Sequence, residues 1–222
     1  MNENRIKIVE KILNANERIA EQNRRRLDAS GTYGINLMAS PGAGKTTFIL
    51  ATIDALLDDN IQIGVIEGDT APVTIDSDKI SAAGMPVVQI NTGGECHLDA
   101  LMVEGALDQL QLETIDLLIV ENVGNLICPA AFDLGMHSKI VIASVPEGDD
   151  KPYKYPNIYR GLDVLIINKI DLLPYLDFDM GYFSKGVEML NPDVKIFAVS
   201  SKTGEGMDRW HDWLKAKLTM RA

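Results

Sequence analysis

Ile35-Asn36-Leu37-Met38-Ala39-Ser40-Pro41-Gly42-Ala43-Gly44-Lys45-Thr46-Thr47 is the stretch on which the fold turns. An apolar run enters a glycine-rich turn and leaves it through a Lys-Thr pair that opens a second apolar stretch. That strand–turn–helix order is the one a P-loop requires. Glycines let the backbone curl until several N–H groups face one phosphate, and the helix N-terminus adds partial positive charge. Gly42, Ala43, Gly44, Lys45, Thr46 and Thr47 would then cradle a nucleotide, with Lys45 on the β- and γ-phosphates and the Thr46 hydroxyl on Mg²⁺. The strict pattern begins with Gly where this chain has Ala39; alanine fits there provided φ stays negative.

Outward from this stretch, short apolar runs alternate with helical patterns. Strands are predicted at 34–39, 61–66, 86–90, 117–121, 139–144, 162–168 and 195–199, and helices at 45–58, 97–110, 181–190 and 205–220. Strands that are apolar nearly throughout belong to a parallel sheet covered on both faces. The expected fold is therefore a doubly wound α/β domain, a mostly parallel sheet of about seven strands with helices on both faces. Before it, residues 4–28 carry Ile6, Val9, Ile12, Leu13, Ile19 and Leu27 among charges, an amphipathic helix that Ser30-Gly31 stops. This divides the chain into a helical arm, 1–30, and a P-loop domain with inserted metal-binding loops, 31–222. Arg24, Arg25 and Arg26 read as a solvated face of the arm.

Two later segments point to guanine. The run Val164-Leu165-Ile166-Ile167 ends in Asn168-Lys169-Ile170-Asp171. A carboxylate at Asp171 can accept from the N1–H and N2–H₂ donors of guanine, whereas adenine would leave it unpaired, a discrimination of roughly 10⁴-fold. Lys169 would lie along the base and Asn168 would tie the loops together. One strand on, Ser200-Ser201-Lys202-Thr203-Gly204 offers N–H groups of Ser201 and Lys202 to the guanine O6. In order after a P-loop, these segments imply a GTPase.

Acids at the carboxyl ends of strands beside a P-loop can hold Mg²⁺ or its waters. Glu67-Gly68-Asp69-Thr70 and Glu121-Asn122-Val123-Gly124 are such ends, and the Gly124 N–H is placed to sense a γ-phosphate. Thr46, Asp69 and Glu121 are the candidate Mg²⁺ residues. Asn125 stands after Gly124, so the water-positioning Gln of Ras-like enzymes is missing. Lys45, Asp69 and Asp76 are the catalytic candidates, and slow hydrolysis is expected.

Of the 222 residues 46% are apolar, enough for one substantial core, and a net charge of −11 disfavours adhesion to nucleic acid or anionic lipid. No run approaches the roughly 18 apolar residues of a membrane span, and the first residues lack the pattern of a secretory signal. The cytoplasm is the expected location. There a structural bridge between the two cysteines is disfavoured. Cys96-His97 follows a strand and Cys128 lies just past Gly124, so the loops of a parallel sheet should gather them along one edge. A helix N-terminus next to Cys96 would lower its pKa. Thiolate and imidazole suit Zn²⁺ or Ni²⁺, and three ligands leave a position for water or for a second subunit.

ASPGAGKTT, EGDTAPVTIDSDKI, NTGGECHLDA, ENVGNLICPAAFDLG, EGDDKPYKYP and NKIDLL together resemble the HypB family of hydrogenase nickel-incorporation GTPases, from about Thr32 to the C-terminus. The resemblance implies a SIMIBI-class G domain that helps deliver nickel to [NiFe]-hydrogenase precursors. It implies metal ligation by Cys96, His97 and Cys128 at a GTP-promoted homodimer interface, Asp69 and Asp76 near Mg²⁺ and the hydrolytic water, and Lys154 reaching the nucleotide of the opposite subunit. The implied partners are the nickel-binding accessory protein HypA and the hydrogenase large-subunit precursor. The N-terminal cysteine motif and histidine-rich tract of some members are not seen in this sequence, which speaks against nickel storage. Leu101 and Gly105 add no imidazole beyond Cys96-His97, and His137 and His211 read as ordinary surface or packing residues. The alternatives are a related GTPase for urease-type maturation, where Cys-Pro-His is expected and this chain has Cys128-Pro129-Ala130, a GTP-gated docking switch with inert cysteines, and a P-loop kinase, which Asp171 disfavours.

Overall fold

In the computed structural model, residues 3–70 and 74–220 are described, with side chains from residue 10 onward. The assignments of Ile6 and Val9 to the apolar face, and the Ala71-Pro72-Val73 part of the quoted motif, lie outside the described residues. Helix α1 (Glu3–Ser30) precedes β1 (Tyr33–Ala39), α2 (Lys45–Leu57), β2 (Ile63–Asp69), α3 (Ile75–Ala82), β3 (Val87–Asn91), α4 (Ala100–Leu107), β4 (Leu117–Glu121) and β5 (Ser138–Ser144). Then come the single-turn helices α5 (Lys151–Lys154) and α6 (Pro156–Tyr159), β6 (Val164–Asn168), α7 (Met180–Glu188), β7 (Lys195–Ala198) and α8 (Met207–Thr219). The strands form one parallel sheet in the order β3-β2-β4-β1-β5-β6-β7.

Alternation along each strand sends side chains to two layers. Ile35, Leu37, Val65, Ile119, Ile140 and Ile166 meet α2 and α8 through Phe48, Ile53, Trp210 and Leu214. On the opposite face, Ile66, Leu118 and Val120 pack on Leu27 of α1 and Val103 and Leu107 of α4. Further along that face, Val141, Leu165 and Ile167 pack on Tyr159, Phe183 and Val187. Because β1 is flanked by β4 and β5, the strand order reverses beside the P-loop, and the crevice at such a point is where α/β sheets bind ligands.

The single-turn α5 and α6 are too short to show a helical period in the sequence, and two longer helices also differ from their sequence expectations. Helix α3 was not expected, because Asp76, Asp78 and Lys79 interrupt its apolar spacing. The helix predicted at 97–110 runs only from Ala100 to Leu107: Asp99 takes the N-cap and accepts from the Met102 N–H, so Cys96 and His97 lie in the preceding turn. The arginine cluster is not one solvated face. Arg24 donates to the carbonyls of Gly135 and Met136, and Arg26 pairs with Asp108 at 2.8 Å, so two of the three tether α1, and only Arg25 stays on a solvated face beside Glu21.

Candidate functional site

The P-loop leaves β1 at Ala39, which is buried and has no positive φ, and enters α2 through Gly44 at φ 98°. A Cβ on Gly44 would stand 2.7 Å from Asn168 Nδ2, so glycine is required by the neighbour as well as by the turn. Lys45 and Thr46 are half-buried in the first turn of α2, and the Thr46 hydroxyl donates to Glu121 Oε1 at 3.3 Å. The turn thereby offers an anion the N–H groups of a helix N-terminus.

Asn168 joins three segments from the end of β6. Its Nδ2 donates to the Ala43 carbonyl at 3.1 Å, and its Oδ1 accepts from the N–H groups of Lys169 and Ser201 and from the Ser201 hydroxyl. Lys169 adopts φ 63° and its Nζ reaches the Gly42 carbonyl at 2.6 Å. Asp171 accepts from the Ser200 hydroxyl at 2.6 Å, while Lys202 is exposed in the next turn. The P-loop, the 168–171 turn and the 200–204 turn are thus tied to one another around Asn168.

Beside them, Glu67 on β2 and Glu121 on β4 are directly opposite in the parallel register. Both are buried, and each has one carboxylate oxygen without a partner. Burial pushes both pKa values up to about 7; at Glu67 the hydrogen bond with Gln89 opposes the rise while Asp69 and Asp76 add to it, and at Glu121 Lys45 opposes the rise while Glu67 and Asp76 add to it. Asp69 is half-buried and caps the Thr70 N–H at 2.6 Å, and Asp76 pairs with Lys79 at 3.0 Å. Lys154 is exposed on α5 and pairs with Asp150, which raises its pKa. Glu67 was noticed in the sequence only as part of a strand end; its pairing with Glu121 depends on a register that no local pattern carries.

The two cysteine segments meet a few residues away. Cys96 Sγ lies 2.8 Å from Cys128 Sγ and 3.9 Å from His97 Nδ1, and the three donor atoms all fall within 4.8 Å of one another. All three side chains are half-buried, and the His97 ring packs on Phe132 at 4.0 Å between centroids. The hydrogen bond with Cys128 raises the Cys96 pKa, contrary to the lowering expected from a helix N-terminus. The physical reason is that α4 begins beyond Asp99, whose carboxylate already occupies that end. His137 is apart from this cluster, accepting from the Gly34 N–H and facing Asp28, and His211 is half-buried on α8, where burial lowers its pKa.

Two residues that sequence reasoning did not select hold the cluster against the Glu121–Gly124 loop. Buried Asn122 accepts from the N–H groups of Leu98 and Val123, and Asn125 donates to the Cys96 carbonyl and accepts from the Ile127 N–H. The same loop abuts the P-loop, because a Cβ on Gly124 would stand 3.1 Å from Pro41 N. Soft sulfur and imidazole donors that leave part of the coordination sphere open suit a thiophilic divalent ion that must enter and leave.

A model of the CobW/HypB/UreG nucleotide-binding domain matches residues 34–198. The hydrogenase maturation factor HypB of Azotobacter chroococcum mcd 1 is 47% identical over 216 residues, covering 97% of this chain and 70% of that protein. The chain belongs to the HypB family. Two HypB crystal structures share its architecture. That of Helicobacter pylori HypB in complex with nickel gives a TM-score of 0.88 at 38% identity over 93% of this chain and 96% of that one. That of HypB from Archaeoglobus fulgidus gives 0.85 at 40% identity over 92% and 98%. In this chain the matched domain starts in β1 and ends in β7, enclosing the P-loop, both cysteine segments and the Asn168–Asp171 turn. It is a nucleotide-binding hydrogenase maturation factor with a candidate metal site at Cys96, His97 and Cys128. No described helix is long and apolar enough to cross a membrane.

Proposed function

We propose that this chain is a cytoplasmic GTP-hydrolysing metallochaperone that delivers nickel to the [NiFe]-hydrogenase large-subunit precursor, with residues 1–30 as an arm and 31–222 as the P-loop domain. The observation that carries the reading is the contact between the ligand cluster and the phosphate-side loop: Asn125, one residue after Gly124, is hydrogen-bonded to Cys96 itself. Nickel is cargo here, and the nickel complex of the H. pylori relative supports that assignment; Zn²⁺ is the competing ion for the same donors.

In this reading Gly42, Ala43, Gly44, Lys45, Thr46 and Thr47 hold the phosphates and Gly124 senses the terminal one. Asn168, Lys169, Asp171, Ser201 and Lys202 hold guanine. The partnerless oxygens of Glu67 and Glu121 and the neighbouring Thr46 hydroxyl fit a hard divalent ion, with Asp69 beside them. Bound Mg²⁺ would supply neutralisation of phosphate charge. Asp69 or Asp76 orients the attacking water, with no Gln to do so, and turnover is slow. GTP promotes a homodimer, in which Lys154 leaves Asp150 for the partner's nucleotide, and HypA is the accessory partner.

Size-exclusion chromatography with metal analysis tests this, run in GDP and in a non-hydrolysable GTP analogue. The proposal predicts a shift to dimer with the analogue and Ni²⁺ that co-elutes with wild type but not with Cys128→Ala. Full retention of Ni²⁺ by Cys128→Ala would leave a docking switch instead.

A further inference from the structure

Asn125 takes the place after Gly124 where Ras-like enzymes carry a water-orienting Gln, yet its side chain is engaged elsewhere. Nδ2 donates to the Cys96 carbonyl at 3.1 Å and Oδ1 accepts from the Ile127 N–H at 3.0 Å. A single amide thus spans the backbone of the first thiol ligand and the residue immediately before the second. On the other side of His97, the Leu98 N–H is held at 3.1 Å by Asn122, which is fully buried and also bonded to Asn36 of β1. The two anchors differ in kind. Asn122 fastens the end of the Cys96–Leu98 segment to the rigid sheet, whereas Asn125 fastens its start to the half-buried loop that passes Pro41 of the P-loop at van der Waals range.

We infer that Asn125 is the positioning residue through which nucleotide state sets the separation of Cys96 and Cys128. The inference rests on the reading that this cluster takes Ni²⁺ and that a terminal phosphate moves Gly124. A displacement of Gly124 carries the adjoining residue with it. The Asn125 amide then shifts the Cys96 peptide and the Ile127 peptide relative to the end held by Asn122. Packed segments have discrete arrangements, so a small shift at the phosphate is passed on as a change in ligand geometry. A ligand shifts such an equilibrium only by its differential affinity for the two arrangements, so the effect must appear as a difference in Ni²⁺ affinity between nucleotide states.

The test is a Ni²⁺ competition titration against a chromophoric chelator, on the full chain, in GDP and in a non-hydrolysable GTP analogue. Wild type is compared with Asn125→Asp and Asn125→Ala. Asparagine to aspartate keeps the volume and the acceptor for Ile127 but removes the donor to Cys96; alanine removes both without adding charge. In wild type the two affinities should differ on the order of tenfold. In both variants the ratio should fall to within about twofold of one, and the sulfur-to-nickel absorption should stop shifting with nucleotide. A residue that merely supports the site would weaken binding equally in both states. A wild-type ratio that survives in Asn125→Asp and Asn125→Ala therefore overturns the inference and leaves the nickel reading intact. Equal affinities in wild type itself overturn the inference and leave a nickel site without nucleotide control, whereas Ni²⁺ binding too weak to measure in both states overturns the nickel reading as well.

Discussion

In the proposed function Asp171 carries the base specificity, because its carboxylate would offer only acceptors where guanine presents donors. Asp171→Asn turns one acceptor into a donor facing them and should weaken GTP binding by about 10²-fold or more, measured by displacement of a fluorescent guanine nucleotide. An unchanged affinity would remove the guanine assignment. Cys96→Ala should lower Ni²⁺ affinity by at least about 100-fold while leaving nucleotide affinity in the GDP state near wild type, since loss of even an outer-shell partner costs 10–100-fold. Single-residue roles were unevenly legible in the sequence. Cys96, His97 and Cys128 could be gathered from sequence alone because strand-to-helix loops of a parallel sheet share one edge. Asn122 and Asn125 could not, because their bonds to the cysteine segments are to backbone atoms, which every residue type has. Glu67 needed the β2–β4 register.

Helix α1 shows how an element remote from the nucleotide fastens the cysteine segments. Asn16 accepts from the Ala100 N–H and donates to the Asp133 carbonyl, and Asn23 donates to the carbonyls of Ala100 and Leu134, so α1 clasps the start of α4 to the chain that follows Cys128. Asn23→Ala leaves both carbonyls buried without this donor and should cost about 1–3 kcal/mol, read from denaturant midpoints. Gly135→Ala should be worse: the residue sits at φ 85°, and its Cβ would lie 2.2 Å from the Ala20 carbonyl of α1. A wild-type midpoint for that variant would show that α1 can leave the sheet freely. The strands were legible as apolar runs, and so were the long helices, from their spacing. Helix α3 was hidden by its acids, and the short α4 by Asp99, whose capping bond stops the turn that carries Cys96 and His97 from joining the helix.

The molecule as a whole places two buried carboxylates under the P-loop, and this sets its response to pH. With Glu67 and Glu121 raised from 4.5 to about 7, the folded chain binds more protons than the unfolded one between those values. Stability contributed by these groups therefore falls as pH rises through that window and levels off above about 7. Urea midpoints of the nucleotide-free protein at pH 5 and 8 should show the decline, and Glu121→Gln should flatten it; an identical pH response in wild type and Glu121→Gln would contradict it. Sheet order brings this acidic pair, the P-loop crevice and the sulfur cluster to one edge, so that in the proposed function phosphate and metal would act on a common set of loops. Reciprocity then gives the most direct check: the affinity for a non-hydrolysable GTP analogue, measured by calorimetry with and without one equivalent of Ni²⁺. The account predicts a several-fold change matching the shift that the analogue imposes on Ni²⁺ binding; identical affinities with and without nickel would contradict it.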